Sequence, residues 1–390
     1  MIGIGIGLWN GSRAVGIAPS FYLPLNDLGN GIVNLVPGSA FGSPTPTFTR
    51  ASAAWTKLSS GLWAQVATGV ARSAYIGQNT AVGAYGGYFP EPAATQLVTP
   101  TASIRDMTDA SWAKVNVTAA KNATGIDGVA NSASTITITV GGGTILQTLV
   151  AAASFRTYSA FVRRKTGTGT LVIQQGVTTS DVTASLNSVT YARVQLNANV
   201  LNSAYGFTGG TAGDQFEIDF HQFEALGTTA PQATSPMATA GAARAIDSLT
   251  YASAGNMDFT QGSAYAELSL SGGPISGAGA LAATANGRML HTDATTSIRV
   301  YDGVTNTVKA GLTDMATGVR KRASSWGAAG MSVTGDGAAP ATSVFDGSMG
   351  SGPVIEIGAQ GGAALWRGTI ANVRIFALQN SDAWLSSITA

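Results

Sequence analysis

Short stretches of alternating apolar and polar residues recur along the chain. Thr135-Ile136-Thr137-Ile138-Thr139-Val140 alternates at period two and then meets Gly141-Gly142-Gly143. The same pattern returns at Thr170–Gln175, Tyr191–Leu196, Phe216–Phe220, Ala264–Leu270 and Val354–Ile357. In an extended chain successive side chains point to opposite faces, so each stretch predicts a half-buried strand. Clusters of Gly, Ser, Asn and Asp between them predict turns. Apolar positions at helical spacing are nearly absent. Many short strands with regular turn signals predict an all-β chain of sandwiches or barrels.

Three regions separate along the 390 residues. The first, to about residue 95, is punctuated by Gly and Pro. The second, about 96–230, holds the first dense set of strands. Gly227–Pro236 is small and Pro-containing and reads as a connector. A second strand set follows from about 240. The opening Ile2-Gly3-Ile4-Gly5-Ile6-Gly7 puts its isoleucines on one face of a strand and bare backbone on the other. Ile2, Ile4 and Ile6 are therefore expected to dock the arm on a partner, with an edge strand of the chain's own first module as the alternative.

Composition narrows the function classes. Lys+Arg number 21 and Asp+Glu 20, leaving a net charge of +1, which gives no electrostatic footprint for nucleic acid. Cys is absent and His numbers 2, so thiolate zinc sites, iron–sulfur clusters and disulfide frameworks are out. No run of 18 apolar residues suggests a membrane-spanning helix. The apolar start, Met1–Leu8, is short and lacks a basic flank, so no signal peptide is expected.

Three stretches in order resemble a known family. Phe48-Thr49-Arg50-Ala51-Ser52 is followed by Gly69-Val70-Ala71-Arg72 and by Gly87-Tyr88-Phe89-Pro90-Glu91-Pro92-Ala93-Ala94-Thr95. Ala233-Thr234-Ser235-Pro236-Met237 precedes Ala243-Arg244-Ala245-Ile246-Asp247. Trp366–Phe376 carries Gly368, Ile370 and Val373-Arg374-Ile375. Together these resemble bacteriophage head spike, head fibre and tail fibre proteins. In that family a jelly-roll module is followed by a concanavalin-A-like or laminin-G-like module. Gln96 stands where the family usually has Asn, and Pro236-Met237 stands for Tyr-Ile.

The resemblance implies three parts: a docking arm over 1–47, a jelly-roll carbohydrate-binding-like module over 48–235, and a concanavalin-A-like lectin module over 236–390. It implies a virion protein, often homotrimeric, assembled in the host cytoplasm. The arm would dock on capsid, portal or tail protein, and the lectin-like modules would bind host-surface glycans. Tail fibre, capsid-decorating protein without sugar binding, and polysaccharide depolymerase are the alternatives. No nucleic-acid or membrane partner is implied.

The candidate site residues carry that reading unevenly. Glycoside hydrolysis needs two carboxyl groups flanking the bond. Glu217 and Asp219 share one strand face about 6–7 Å apart, with Glu224 nearby. That is also the pattern of a solvent face, with Phe216, Ile218 and Phe220 inward. Glu267 and Glu356 have no partner Glu at i, i+2 or i, i+4. The expectation is therefore no enzyme. Trp326, flanked by Ser324-Ser325 and Gly327, is the candidate exposed aromatic for stacking a sugar. Asp302 and Asp336 are candidate ligand contacts, and loop carboxylates of this kind hold calcium in laminin-G-like domains. Asp302-Gly303 and Asp336-Gly337 are also hairpin turn signals, and the turn is the favoured reading. No cofactor is expected beyond that candidate calcium. Arg320-Lys321-Arg322 and Arg163-Arg164-Lys165 read as solvated strand ends, and His221 and His291 as scaffold residues.

Overall fold

The computed structural model describes residues 21–23, 45–58, 60–75, 85–98, 104–148, 154–200, 204–225, 233–237, 242–270, 278–283, 287–359 and 366–390. The chain is all-β and builds two sandwiches. The six predicted strands all form, as Ala133–Ile138, Leu171–Gln175, Ala192–Val200, Gln215–Glu224, Gly262–Leu268 and Val354–Ile357.

The middle sandwich stacks two five-stranded antiparallel sheets. One runs in the order Ala192–Val200, Ser154–Thr166, Gln215–Glu224, Ala133–Ile138, Val117–Ala123. The other runs Thr178–Asp181, Leu171–Gln175, Ala204–Gly209, Gly143–Thr148, Ala113–Val115. Ile136, Tyr158, Val162 and Ile218 from the first meet Ile145, Ile173, Tyr205 and Phe207 from the second in one core. Burying such side chains contributes roughly 1.5–3 kcal/mol each. Period two puts them on the inner faces without any local cue beyond the alternation.

The second sandwich packs an eight-stranded sheet on a seven-stranded one. Its core joins Ala264, Leu268, Val333, Val373 and Ile375 to Leu249, Leu281, Ile298, Val300 and Ile357. Strand pairing cuts across the expected unit 48–235. Thr47–Thr49 pairs with Ser248–Ala252, and Tyr85–Tyr88 meets Ile370–Phe376, both in the second sandwich. The hairpin Ala54–Lys57 with Trp63–Val66 instead leans on the middle sandwich, where Trp55 packs on Phe220 and Trp63 on Phe161. The segment before residue 96 is thus shared by both sandwiches. Within the expected docking arm, Phe21–Leu23 pairs with Val373–Ile375 of the chain's own sheet. Ile2, Ile4 and Ile6 lie outside the described residues.

Among the described residues one α-helix, Asp382–Thr389, follows the last strand and is not anticipated by hydrophobic periodicity. Its local signal is the cap: Ser381 Oγ accepts from Trp384 N at 3.3 Å, with Asp382 in the first turn. Trp384 and Leu385 then seat the helix on Phe376.

Candidate functional site

The residues that carried the resemblance converge. Arg50, Arg72, Glu91, Ser235, Arg244 and Asp247, spread over almost 200 positions, meet in one buried cluster between the sandwiches. Arg72 reaches both carboxylates, with its Nη2 3.0 Å from Asp247 Oδ2 and in contact with Glu91 Oε2. Arg50 Nη1 lies 3.3 Å from Asp247 Oδ1, and Arg244 Nη1 holds Glu91. Ser235 donates to Glu91 from its backbone N–H at 2.6 Å and its hydroxyl at 2.7 Å. Three guanidinium groups face two carboxylates, and the surplus N–H donors turn to the carbonyls of Ser52, Ala67, Trp55 and Pro92. Burial would raise the Glu91 carboxyl, but Arg244, Arg72 and the Ser235 hydrogen bonds outweigh it and hold it down to about 2. Gln96 extends this joint. Its amide accepts from Phe223 N at 2.8 Å and donates to His221 O at 3.0 Å, stitching the incoming chain to the middle sandwich.

The carboxylates weighed for catalysis are all engaged. The strand Gln215–Glu224 is buried on both faces, so Glu217 and Asp219 do not lie on a solvent face. Arg163 Nε takes Glu217 at 2.7 Å. Arg105 takes Asp219 at 2.7 Å from Nε and clamps Asp127 at 2.6 Å from Nη1. Asp219 also accepts from Ile126 N at 2.8 Å. Phe220, at φ 44°, sits where the pairing with Ser154–Thr166 shifts register. The bulge turns its ring out under Arg105, 4.3 Å from the guanidinium carbon, and against Trp55. Glu224 accepts from Thr234 at 3.0 Å, and Glu267 from Asn372 at 2.8 Å and Tyr265 at 3.1 Å.

Of the three sequence-predicted ligand contacts, one lies elsewhere than expected. Trp326 is fully buried, a correction to its expected exposure. Its strand, Arg320–Gly327, lies inside the eight-stranded sheet, and Gly262 across the pairing leaves the space its indole fills. The indole N–H donates to Asp258 O at 3.1 Å. Asp302 is 2% exposed and organises its own turn, accepting from Val304, Thr305 and Asp346 N at 2.8, 2.6 and 3.1 Å. Asp336, at φ 54°, accepts from Arg322 Nη1 at 2.6 Å and Thr313 N at 2.8 Å. Both sit in the turns that the favoured reading gives them. Among the described residues no group of three or more His, Cys, Asp or Glu stands together. Asp302→Ala strands three backbone N–H groups. It is expected to cost about 1–3 kcal/mol in urea unfolding, equally with calcium or with chelator. A cost that appears only with calcium present would make Asp302 a metal ligand.

Neither basic triplet forms a patch. Arg322 is buried against Asp336, and Arg164 donates to Gly169 O at 2.8 Å while covering Phe216. His221 is a scaffold residue: Nδ1 lies 2.9 Å from the Tyr158 hydroxyl, and burial pushes its imidazole down to about 3.

The feature sequence reading missed is an open cleft of about 500 Å³ at the edge of the middle sandwich. Four separate segments wall it: the hairpin end with Lys57, Leu62 and Trp63, the loop 124–128, the stretch from Ser185 to Arg193, and the strand residues Phe161 and Arg163. Asp127 and Asp219, both held by Arg105, fix the second wall through the Val129 and Ile126 N–H groups. Asn187 Oδ1 caps the third wall by accepting from Val189 N at 2.8 Å and Thr190 N at 2.7 Å. Tyr191 is half-buried, donates to Thr124 O at 2.9 Å, and lies with its ring centroid 4.7 Å from the Arg163 guanidinium carbon. Leu62 is 43% exposed on the first wall.

No protein-family model matches the chain, and no curated protein matches it. Among solved structures, the N-terminal CBM22-1–CBM22-2 tandem of Paenibacillus barcinonensis Xyn10C matches 74% of this chain and 99% of its own, at 9% identity and a TM-score of 0.25. A TM-score of 0.25 carries neither fold detail nor function from one to the other.

Proposed function

We propose that this chain is an adhesive structural protein of a bacteriophage particle, a head spike or fibre, that holds host-surface glycans and does no chemistry on them. The observation that carries the adhesive part is the cleft. It is open, joins the apolar surfaces of Tyr191 and Leu62 to polar loop groups, and has no carboxylate among the described residues of its lining. That suits binding of a pyranose ring, whose faces are apolar and whose rim is polar. It does not suit hydrolysis, which needs paired carboxyl groups facing the bond. The particle setting is supported by the motif residues, six of which build the buried joint. A homotrimer would present several such clefts. Tethered weak sites gain avidity of about 10²–10⁴ over one.

The test is a glycan screen on the intact chain beside its Tyr191→Ala variant. Binding that falls at least tenfold in Tyr191→Ala, measured where the variant is still folded, is the expected result. Binding unaffected by Tyr191→Ala would move the site away from the cleft. Localisation on purified particles by electron microscopy tests the particle part. Absence from them contradicts it, and presence without any glycan binding leaves a capsid-decorating protein.

A further inference from the structure

The hairpin Ala54–Lys57 with Trp63–Val66 supplies the first wall of the cleft, yet its strands pair with neither sandwich. It is a separate two-stranded sheet, and a hairpin of two short strands is marginally stable by itself. The strands that flank it belong to the second sandwich: Thr47–Thr49 pairs with Ser248–Ala252, and Ser73–Tyr75 with Tyr85–Tyr88. The rest of the lining comes from the middle sandwich and its loops. The cleft is therefore assembled across the boundary between the two sandwiches.

Near its tip the hairpin is held by the middle sandwich. Trp63 N donates to Ile126 O at 2.9 Å, and the Trp63 ring packs on Phe161. At its base it is held by Arg50. The guanidinium brackets the excursion: Nε donates to Ser52 O at 2.7 Å on the way in, and Nη2 to Ala67 O at 2.8 Å on the way out. Gly69 N donates back to Arg50 O at 3.1 Å. The remaining nitrogen, Nη1, lies 3.3 Å from Asp247 Oδ1, which orients the guanidinium from the buried joint. Arg50 is 2% exposed and does not line the cleft. A lysine in its place keeps the charge opposite Asp247 but not the planar fork that reaches carbonyls on both sides at once.

Building on the glycan reading of this cleft, we infer that Arg50 is a positioning residue for it: bonded to the carbonyls of Ser52 and Ala67, it sets the wall that carries Leu62 against the wall that carries Tyr191. The ligand never meets Arg50. Its affinity depends on Arg50 because a sugar ring needs both apolar surfaces in contact, and a gap of about 0.5–1 Å already forfeits a quarter to a half of that attraction. Arg244 is the comparison. It is equally buried in the same joint, but its partners are Glu91, Ser235 and Pro92, none of them in the hairpin.

The experiment compares the full chain with Arg50→Lys and Arg244→Lys, each measured where it is still folded. Hydrogen exchange follows the hairpin amides of Gly61 and Trp63, and calorimetry follows binding of neutral oligosaccharides of glucose, galactose, mannose and N-acetylglucosamine. Arg50→Lys should speed hairpin exchange about tenfold over Arg244→Lys and weaken the sugar that the parent binds about fivefold. Arg244→Lys should bind that sugar as the parent does. Ser52→Ala, which removes only the 2.9 Å bond from Ala245 N to the Ser52 hydroxyl, loosens the same end of the hairpin more gently and should move both readouts in the same direction. Equal hairpin exchange in the two lysine variants, or affinities that fall equally, would overturn the inference. Affinity that survives Arg50→Lys but falls in Tyr191→Ala would overturn it while leaving the cleft a glycan site. If no sugar binds the parent, or Tyr191→Ala binds as well as the parent, the glycan reading of the cleft fails and the ligand part of this inference with it, and the exchange rates alone decide whether Arg50 holds the hairpin.

Discussion

Glu91→Gln is expected to destabilise the chain by about 3–5 kcal/mol, the usual cost of removing one partner from a buried ionic network. Glu91 is 4% exposed and is the acceptor for Arg72, Arg244 and both Ser235 donors. The amide removes the negative charge and replaces one acceptor oxygen with a donor facing guanidinium groups. Asp247 would then stand alone against Arg50, Arg72 and Arg244. The joint links strands of both sandwiches, so the loss should appear as a large fall in the denaturant midpoint and as early separation of the two sandwiches. Glu217→Gln is the comparison. Glu217 pairs with Arg163, whose side chain is 24% exposed, and its loss should cost about 1 kcal/mol. Equal midpoints for the two variants would mean that the cluster does not fasten the fold.

Between pH 7 and pH 4.5 the chain should lose about 5 kcal/mol of stability through its two histidines. Burial holds His221 and His291 neutral and down to about 3. In the unfolded chain each takes a proton near pH 6.5. The folded state therefore binds fewer protons across the window from 6.5 to 3, and stability falls as pH falls through it. At pH 4.5 each histidine contributes roughly two units of 1.4 kcal/mol. Glu91, held down to about 2, extends the loss below pH 4.5. Asp219 and Glu224, raised by burial, act in the opposite sense, because their protonation favours the folded chain. Thermal melts at half-unit steps from pH 7.5 to 4.5 should show a steady decline, shallower in His221→Gln relative to its own pH 7.5 value. An identical pH slope in the parent chain and in His221→Gln would mean that this imidazole is not buried neutral.

The strands were legible because each announces itself locally. Thr135–Val140 alternates at period two and ends in three glycines, and that is enough to place Ala133–Ile138. Trp326 was misread for a reason that is not local. Ser324, Ser325 and Gly327 look like turn residues, yet they lie within a strand whose neighbour supplies Gly262, 64 positions earlier. The turn is one step further on, where Gly327 pairs with Gly330. The ionic joint is similarly hidden. Arg50 and Asp247 are 197 positions apart, and nothing in either neighbourhood names the other. The motif residues were recognisable as a set, but their convergence is a property of the fold. The cleft is the extreme case. Its walls come from four segments, each of ordinary composition, and Tyr191 reads on sequence as one more strand residue.

The most direct measurement is a crystal structure of the chain with the tightest oligosaccharide from the screen. The sugar ring should lie in the cleft, against Tyr191 and Leu62. A sugar seated on another surface, with the cleft empty, would contradict the account.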